Sequence, residues 1–182
     1  NLGILTGIKV DKGTHDFALH PGESITNGLD GLSDRLKEYR DLGAKFAKWR
    51  AVITIADNIP SEACIYSNSH SLARYATICQ ENGIVPIVEP EVLMLGEHNI
   101  ERCYDVTKLS QEILFNELDK LDVMLEGIVL KPSMVISGDK CPTQASHDQV
   151  ADMTVECLKN TVPSEVPGCA FLSGGQSDLD AT

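Results

Sequence analysis

The sequence predicts an α/β fold on a parallel sheet, a (β/α)8 TIM barrel of which this chain supplies about five strands and four helices. Three observations carry that expectation. Five β-like runs alternate with four amphipathic helical stretches, and the runs start about 40 residues apart, a βα spacing rather than a hairpin spacing. Neither a G-x-G-x-x-G turn after the first run nor a P-loop occurs, which removes the strongest marks of a nucleotide-binding open sheet. Eight such units need about 320 residues, so residues 1–182 are expected to form one partial-barrel domain, truncated at both ends. The chain opens at Asn1 with no initiator Met, and Ser177 or Asp178 would cap a helix that does not follow.

The first run is Gly3 to Val10. Thr26 to Leu42 then carries Leu29, Leu32, Leu36, Tyr39 and Leu42 at three- and four-residue spacing and ends at Gly43, a helical stripe with a C-terminal glycine. Lys45 to Ile53 is the second run. A helix follows from about Ser69 through Leu72, Ala76 and Cys79 to Gly83, and Ile84 to Val88 is the third run. From about Asn99 a further helix carries Ile100, Cys103, Val106, Ile113, Leu114 and Leu118, ahead of a fourth run, Leu125 to Leu130. The last helix opens on a capping-box pattern, Ser146-His-Asp-Gln149, and stops before Pro163. Gly168 to Leu172 is the fifth run. Five strands left open would expose two parallel edges until other strands close them.

With 15 Lys+Arg against 27 Asp+Glu the formal charge is −12, which excludes a nucleic acid or anionic membrane partner recognised through overall charge. At 42% hydrophobic and 23% charged, with no 18-residue apolar run, the composition is that of a soluble globular chain. The opening residues do not read as a secretory signal, and none is expected. The six cysteines have no C-x-x-C or Cys/His spacing and read as reduced, packed thiols of a cytosolic protein. The five histidines form no H-x-H or H-E-x-x-H pair, so no metal site is expected.

The apolar runs are associated with charged residues and then turn residues: Lys9-Val-Asp11-Lys12-Gly13, Lys48-Trp-Arg50, Glu89-Pro-Glu91, Lys131-Pro132 and Ser173-Gly174-Gly175. Read as C-terminal strand ends, these converge on one face of a barrel, where active sites are built. Five of the 15 basic residues, Lys9, Lys12, Lys48, Arg50 and Lys131, would then gather at one mouth, a cluster suited to an anionic substrate. Strand alternation sets Lys9 with Asp11, Lys48 with Arg50 and Glu89 with Glu91, and turns Trp49 toward the helices. Ser173 to Gly175 offers bare N–H groups and a hydroxyl to a phosphate, or is simply a turn. Lys131 has two readings. It can reach the rim or pair with a carboxylate; or, desolvated beside a cation such as Lys48, it can supply a neutral amine that attacks a carbonyl to form a Schiff base. Of Glu89 and Glu91, one can move protons while the other pairs with a lysine.

Gly7-Ile-Lys-Val-Asp-Lys-Gly13, Phe46-Ala-Lys-Trp-Arg50, Ala73-Arg-Tyr-Ala76, Gly83-Ile-Val-Pro-Ile-Val-Glu-Pro-Glu91, Leu125-Glu-Gly127 with Leu130-Lys-Pro132, and Phe171-Leu-Ser-Gly-Gly-Gln-Ser177 resemble class I fructose-bisphosphate aldolase, in order and over essentially the whole chain. The resemblance implies the third to seventh strands of a (β/α)8 barrel. It also implies metal-free, cofactor-free reversible cleavage of fructose 1,6-bisphosphate to dihydroxyacetone phosphate and glyceraldehyde 3-phosphate in cytoplasmic glycolysis and gluconeogenesis. Lys131 would be the Schiff-base lysine, Glu89 the main proton-transfer residue, Lys48 a substrate binder that assists carbon–carbon cleavage, and Glu91 a partner of the lysines. Lys9, Asp11 and Arg50 would lie by the phosphorylated sugar, and Ser173, Gly174 and Gly175 would bind one phosphate. A homotetramer and possible cytoskeletal binding are further implications.

Two departures stand out. Ser133 occupies a position that is often Asn in the family, and the loop Thr14 to Glu23 is less familiar, so no role is carried onto it. The family's catalytic aspartate on its first strand and phosphate-binding arginine on its eighth fall outside this sequence. The full-length parent is therefore expected to be active and the isolated piece inactive. The competing expectation is a non-catalytic fragment or a cytoskeleton-interacting, aldolase-like protein.

Overall fold

The computed structural model describes residues 2–179 and 181. In chain order the elements are β1 (Thr6–Lys9), β2 (Thr14–Asp16), β3 (Ser24–Thr26), α1 (Leu32–Asp41), β4 (Ala44–Ile53), α2 (Glu62–Glu81), β5 (Val85–Val92), α3 (Ile100–Lys120), β6 (Val129–Leu130) and α4 (His147–Thr161). The fold is α/β: β1, β4, β5 and β6 form a parallel sheet in that spatial order, and β2 pairs with β3 in a separate antiparallel hairpin.

Alternation along the two long strands decides which residues meet the helices. Ala47, Trp49, Ala51 and Ile53 of β4, with Val88 and Val92 of β5, are buried. Most of them pack with Leu32 and Leu36 of α1, Leu72, Tyr75 and Cys79 of α2, and Leu114 and Leu118 of α3; Ile53 and Val92 join a second core with α3 and α4. Trp49 is fully buried, 5.5 Å from the Tyr75 ring. Tyr75 donates from its hydroxyl to the carbonyl of Ala47 at 2.7 Å and reaches that of Ile87 at 3.3 Å, fastening α2 to two strands at once. Lys48, Arg50, Glu89 and Glu91 therefore share the face turned away from the helices.

Three of the four helices, α2, α3 and α4, start on side-chain caps, whereas α1 starts on Gly31 without one. Ser61 accepts from the Cys64 N–H at 3.1 Å, Asn99 from Arg102 at 2.9 Å, and Ser146 forms the expected capping box with Gln149. α2 begins at Glu62, well before the expected Ser69, because buried Glu23 takes both the N–H and the hydroxyl of Ser61, at 2.6 and 2.7 Å. α1 starts later than the expected Thr26. That residue belongs to β3, where its hydroxyl donates to the Arg50 carbonyl at 2.7 Å, and Gly28 and Gly31 follow with φ of 131° and 65°.

The fourth and fifth runs shrink. Gln80 clamps both the N–H and the carbonyl of Met124, so Leu125–Gly127 is a 3-10 turn and the strand is only Val129–Leu130. The fifth run reduces to Cys169 bridging Leu130 in parallel, through Leu130 N–H to Gly168 O and Ala170 N–H to Leu130 O. All six cysteines are free, and burial pushes the Cys64 and Cys157 thiols up to about 11 and Cys79 up to about 12.

Candidate active site

Register builds the site. Lys9 lies opposite Lys48 across β1 and β4, and Arg50 opposite Glu89 across β4 and β5. Beyond β6 the Lys131 N–H donates to the Val88 carbonyl at 2.8 Å, which carries the pairing one residue further and brings the lysine side chain beside Glu89. The Lys131 amine hydrogen-bonds Glu89 Oε1. Lys48 Nζ lies 2.7 Å from Oε2 of the same carboxylate, an ion pair by distance whose angles fall outside hydrogen-bond geometry. Glu89 is buried, whereas Lys131 and Lys48 keep 16% and 25% of their side chains open to solvent.

This differs from a lysine desolvated beside bare cations. Glu89 stands between Lys131 and Lys48, so the nearest charged neighbour of the amine is a carboxylate able to take its proton.

Glu91 pairs with Arg50 rather than with the lysines. That hydrogen bond holds the guanidinium above its usual range; burial opposes, and the charges of Glu91, Glu89 and Asp11 add. Asp11, its side chain almost fully buried, pairs with Lys9, accepts from the Gly13 N–H at 3.1 Å and reaches the Arg50 N–H at 3.3 Å. Four of the five expected cations, Lys9, Lys48, Arg50 and Lys131, meet three carboxylates on this face, so the cluster is largely neutralised and keeps one net positive charge, whereas Lys12 lies in a separate cleft beside Asn27, Ser71 and Arg74. Nor are all these residues strand ends. Lys48, Arg50, Glu89 and Glu91 lie within β4 and β5, and what unites them is a sheet face.

A cleft of about 370 Å³ opens on this face, bounded by Arg50, Glu89, Glu91 and Lys131 on one side and Ser173, Gly174 and Gly175 on the other. Lys48 reaches it through Glu89; Lys9 and Asp11 lie outside its lining. Ser133, the unusual residue after Lys-Pro, lines the cleft and accepts from the Val92 N–H at 2.9 Å, tying the segment after β6 to the end of β5. Met94 and Met134 also line it. No polar or charged pattern marks them in the sequence; the fold brings the segments that carry them to one cleft. Among the described residues no group of three or more His, Cys, Asp or Glu could hold a metal ion, and no helix is long and apolar enough to cross a membrane.

Compared with known families, residues 1–182 match the model described as "Glycolytic: Fructose-bisphosphate aldolase class-I". The chain belongs to the class I fructose-bisphosphate aldolase family. It is 59% identical over 180 residues to a probable fructose-bisphosphate aldolase class 1 of Xanthomonas axonopodis pv. citri, covering 99% of this chain and 54% of the relative. It is 52% identical to cytosolic fructose-bisphosphate aldolase 4 of Arabidopsis thaliana, covering 99% of this chain and 46% of that protein. A solved structure of the Plasmodium falciparum aldolase, in complex with TRAP and a small-molecule inhibitor, superposes with a TM-score of 0.95 at 47% identity, over 98% of this chain and 52% of that one. The chain thus spans about half the length of the aldolases it matches.

Proposed function

We propose that this chain is the central arc of a (β/α)8 barrel in a class I aldolase that cleaves fructose 1,6-bisphosphate reversibly to dihydroxyacetone phosphate and glyceraldehyde 3-phosphate. The observation that carries the reading is one buried carboxylate, Glu89, shared by Lys131 and Lys48 on a single sheet face, across a cleft from Ser173–Gly175. The barrel is supported by four parallel strands with helices against one face, and by the likeness to the Plasmodium enzyme.

In this reading Lys131 passes a proton to Glu89, and its free amine adds to the C2 carbonyl of the sugar. Glu89 returns the proton to the resulting hydroxyl, which leaves as water and forms the iminium. Glu89, a carboxylate again once the water has left, takes the C4 hydroxyl proton as the C3–C4 bond breaks and holds it for C3. The bond's electron pair flows into the iminium and the aldehyde departs; protonation of C3 and hydrolysis then release the second triose. Lys48 stabilises negative charge developing on the reacting oxygens. Arg50 and Lys9 bias the face toward anions, and the N–H groups of Ser173–Gly175 receive one phosphate. No metal or cofactor enters these steps. A homotetramer, a cytoplasmic location and a cytoskeletal partner complete the proposal; the cytosolic naming of the Arabidopsis relative supports the location.

The test is trapping. Full-length protein incubated with dihydroxyacetone phosphate and reduced with borohydride should carry the adduct on Lys131, read by peptide mass spectrometry. No adduct, or one on a different lysine, overturns the assignment and leaves a non-catalytic aldolase-like protein.

A further inference from the structure

We propose that Met94 is a hydroperoxide-sensitive control point for the anion-binding loop: oxidation of its thioether to the sulfoxide disengages Ser173–Gly175 from the phosphate. The inference rests on the aldolase reading of that loop.

The loop is seated between two methionines. Met94 covers Gly175 so closely that a Cβ there would overlap the Met94 Sδ and Cε. Against Gly174, Met134 presents its Cβ and Cγ, each 3.4 Å from the position a Cβ would take. The two contacts differ in chemistry. Met134 touches the loop with its hydrocarbon stem, Met94 with the sulfur itself. Both side chains are half-buried and line the open cleft, where a small neutral peroxide can enter.

The backbone around Met94 is fixed. Its carbonyl accepts from the Asp139 N–H at 2.8 Å, the Gly96 carbonyl accepts from Lys140 at 2.9 Å, and the Gly96 N–H donates to Asp139 Oδ1 at 2.7 Å. A change at the sulfur is therefore passed to Gly175 rather than absorbed by the Met94 backbone.

On the loop side, Gly174 and Gly175 turn with φ of 61° and 81°, and the Ser173 carbonyl is taken by the Gln176 N–H at 3.1 Å and its side-chain amide at 3.0 Å. The N–H groups of Gly174 and Gly175 have no acceptor among the described residues. They are donors open to a phosphate, or to any other strong acceptor brought within reach.

The chemistry balances with a hydroperoxide as oxidant. The sulfur lone pair attacks the distal peroxide oxygen, an S–O bond forms as the O–O bond breaks, and water or an alcohol leaves. The sulfur is oxidised and the peroxide reduced. The new oxygen enters space already filled by the loop and is itself a hydrogen-bond acceptor. It either lifts Gly174–Gly175 away or occupies their N–H groups, and both outcomes oppose the phosphate. Methionine sulfoxide reductase reverses the change.

The test uses full-length protein treated with graded hydrogen peroxide and then dithiothreitol, which returns oxidised thiols but not sulfoxides. Peptide mass spectrometry follows Met94 occupancy. The KM for fructose 1,6-bisphosphate and the Kd for inorganic phosphate should rise together by about tenfold, the loss of one hydrogen bond to a charged group, with kcat changed less than twofold. Methionine sulfoxide reductase should restore both. Met94→Leu keeps apolar bulk without sulfur and should abolish the peroxide response, whereas Met134→Leu should retain it. Met94→Gln, polar at the same reach, should raise KM without peroxide. A response that survives in Met94→Leu, or fully oxidised Met94 with unchanged KM and Kd, overturns the inference alone. Untreated protein that neither cleaves the sugar nor binds phosphate overturns the aldolase reading and this inference with it.

Discussion

Glu89→Gln is the sharpest perturbation of the proposed chemistry. The amide keeps the shape of the side chain, but it cannot take the proton of Lys131 or return it to a leaving hydroxyl. It also presents an NH2 group where one of the two ammonium groups now finds an oxygen. Positioned general acid–base catalysis contributes about 10²- to 10⁴-fold, equivalent to about 3–5 kcal/mol of barrier. The variant's kcat should fall by that factor, while KM changes little because Arg50 and Ser173–Gly175 are untouched. Lys131 and Lys48 remain partly open to water and can rehydrate, so the fold survives at a cost of about 2 kcal/mol, below the range for a fully buried broken pair. The assay is release of dihydroxyacetone phosphate by full-length protein, run beside borohydride trapping, which should slow by the same factor. Glu91→Gln is the matched control. It removes only the Arg50 pair, whose arginine side chain is 41% exposed, and its kcat should stay within tenfold of the parent. A Glu89→Gln enzyme retaining a third or more of the parental kcat would refute the proton-transfer role.

Tyr75→Phe deletes a fully buried hydroxyl that donates to the Ala47 carbonyl; urea unfolding should register a loss of about 1–2 kcal/mol, and an unchanged midpoint would contradict the fastening role. Ser146→Ala breaks the capping box of α4 and should cost about 1 kcal/mol, with fraying at His147–Val150 visible by amide exchange; protection equal to the parent's would count against it. His98 supplies a pH dependence. Burial holds its imidazole below the ordinary 6.5, with the Asp139 charge opposing and the Arg102 charge adding. The unfolded chain therefore binds that proton first. Stability should be level above pH 6.5, fall as pH drops from 6.5 toward the lower folded value, and level again below it. Unfolding titrations above and below that window should find a smaller drop in His98→Gln; a drop of full parental size would refute the assignment.

Much of the fold and site is legible in the residues because it depends on period and cap. The period-two alternation of Lys48-Trp49-Arg50 and Glu89-Pro90-Glu91 puts the charged side chains on one face and Trp49 against the helices, as the structure has it. Asn99 and Ser146 cap where their side chains suggest. What escaped was set by partners distant in sequence. The start of α2 depends on Glu23 holding Ser61, and the shortening of the fourth run on Gln80 clamping Met124. The β2–β3 hairpin consists of three-residue strands with too little apolar alternation to read, although Pro21-Gly22 between them was an available turn signal. Within the site, the residue types announced acid, base and amine, but not their pairing. Arg50 lies opposite Glu89 across β4 and β5, yet Glu89 meets Lys48 and Glu91 meets Arg50, each carboxylate reaching diagonally to the cation two positions before its register partner, a choice that residue types alone do not reveal.

The hydrogen bonds that join the segments after β5 and β6 have a consequence for how such proteins can diverge. Met94 and Gly96 on one segment and Asp139 and Lys140 on the other are stitched residue against residue, and a side chain at Gly138 would run into the Gly96 carbonyl. Lengthening either segment by one position would unpick the seam and displace its neighbour. A change of length in one is therefore accommodated only by a matching change in the other, whereas a substitution that keeps the seam needs no such partner.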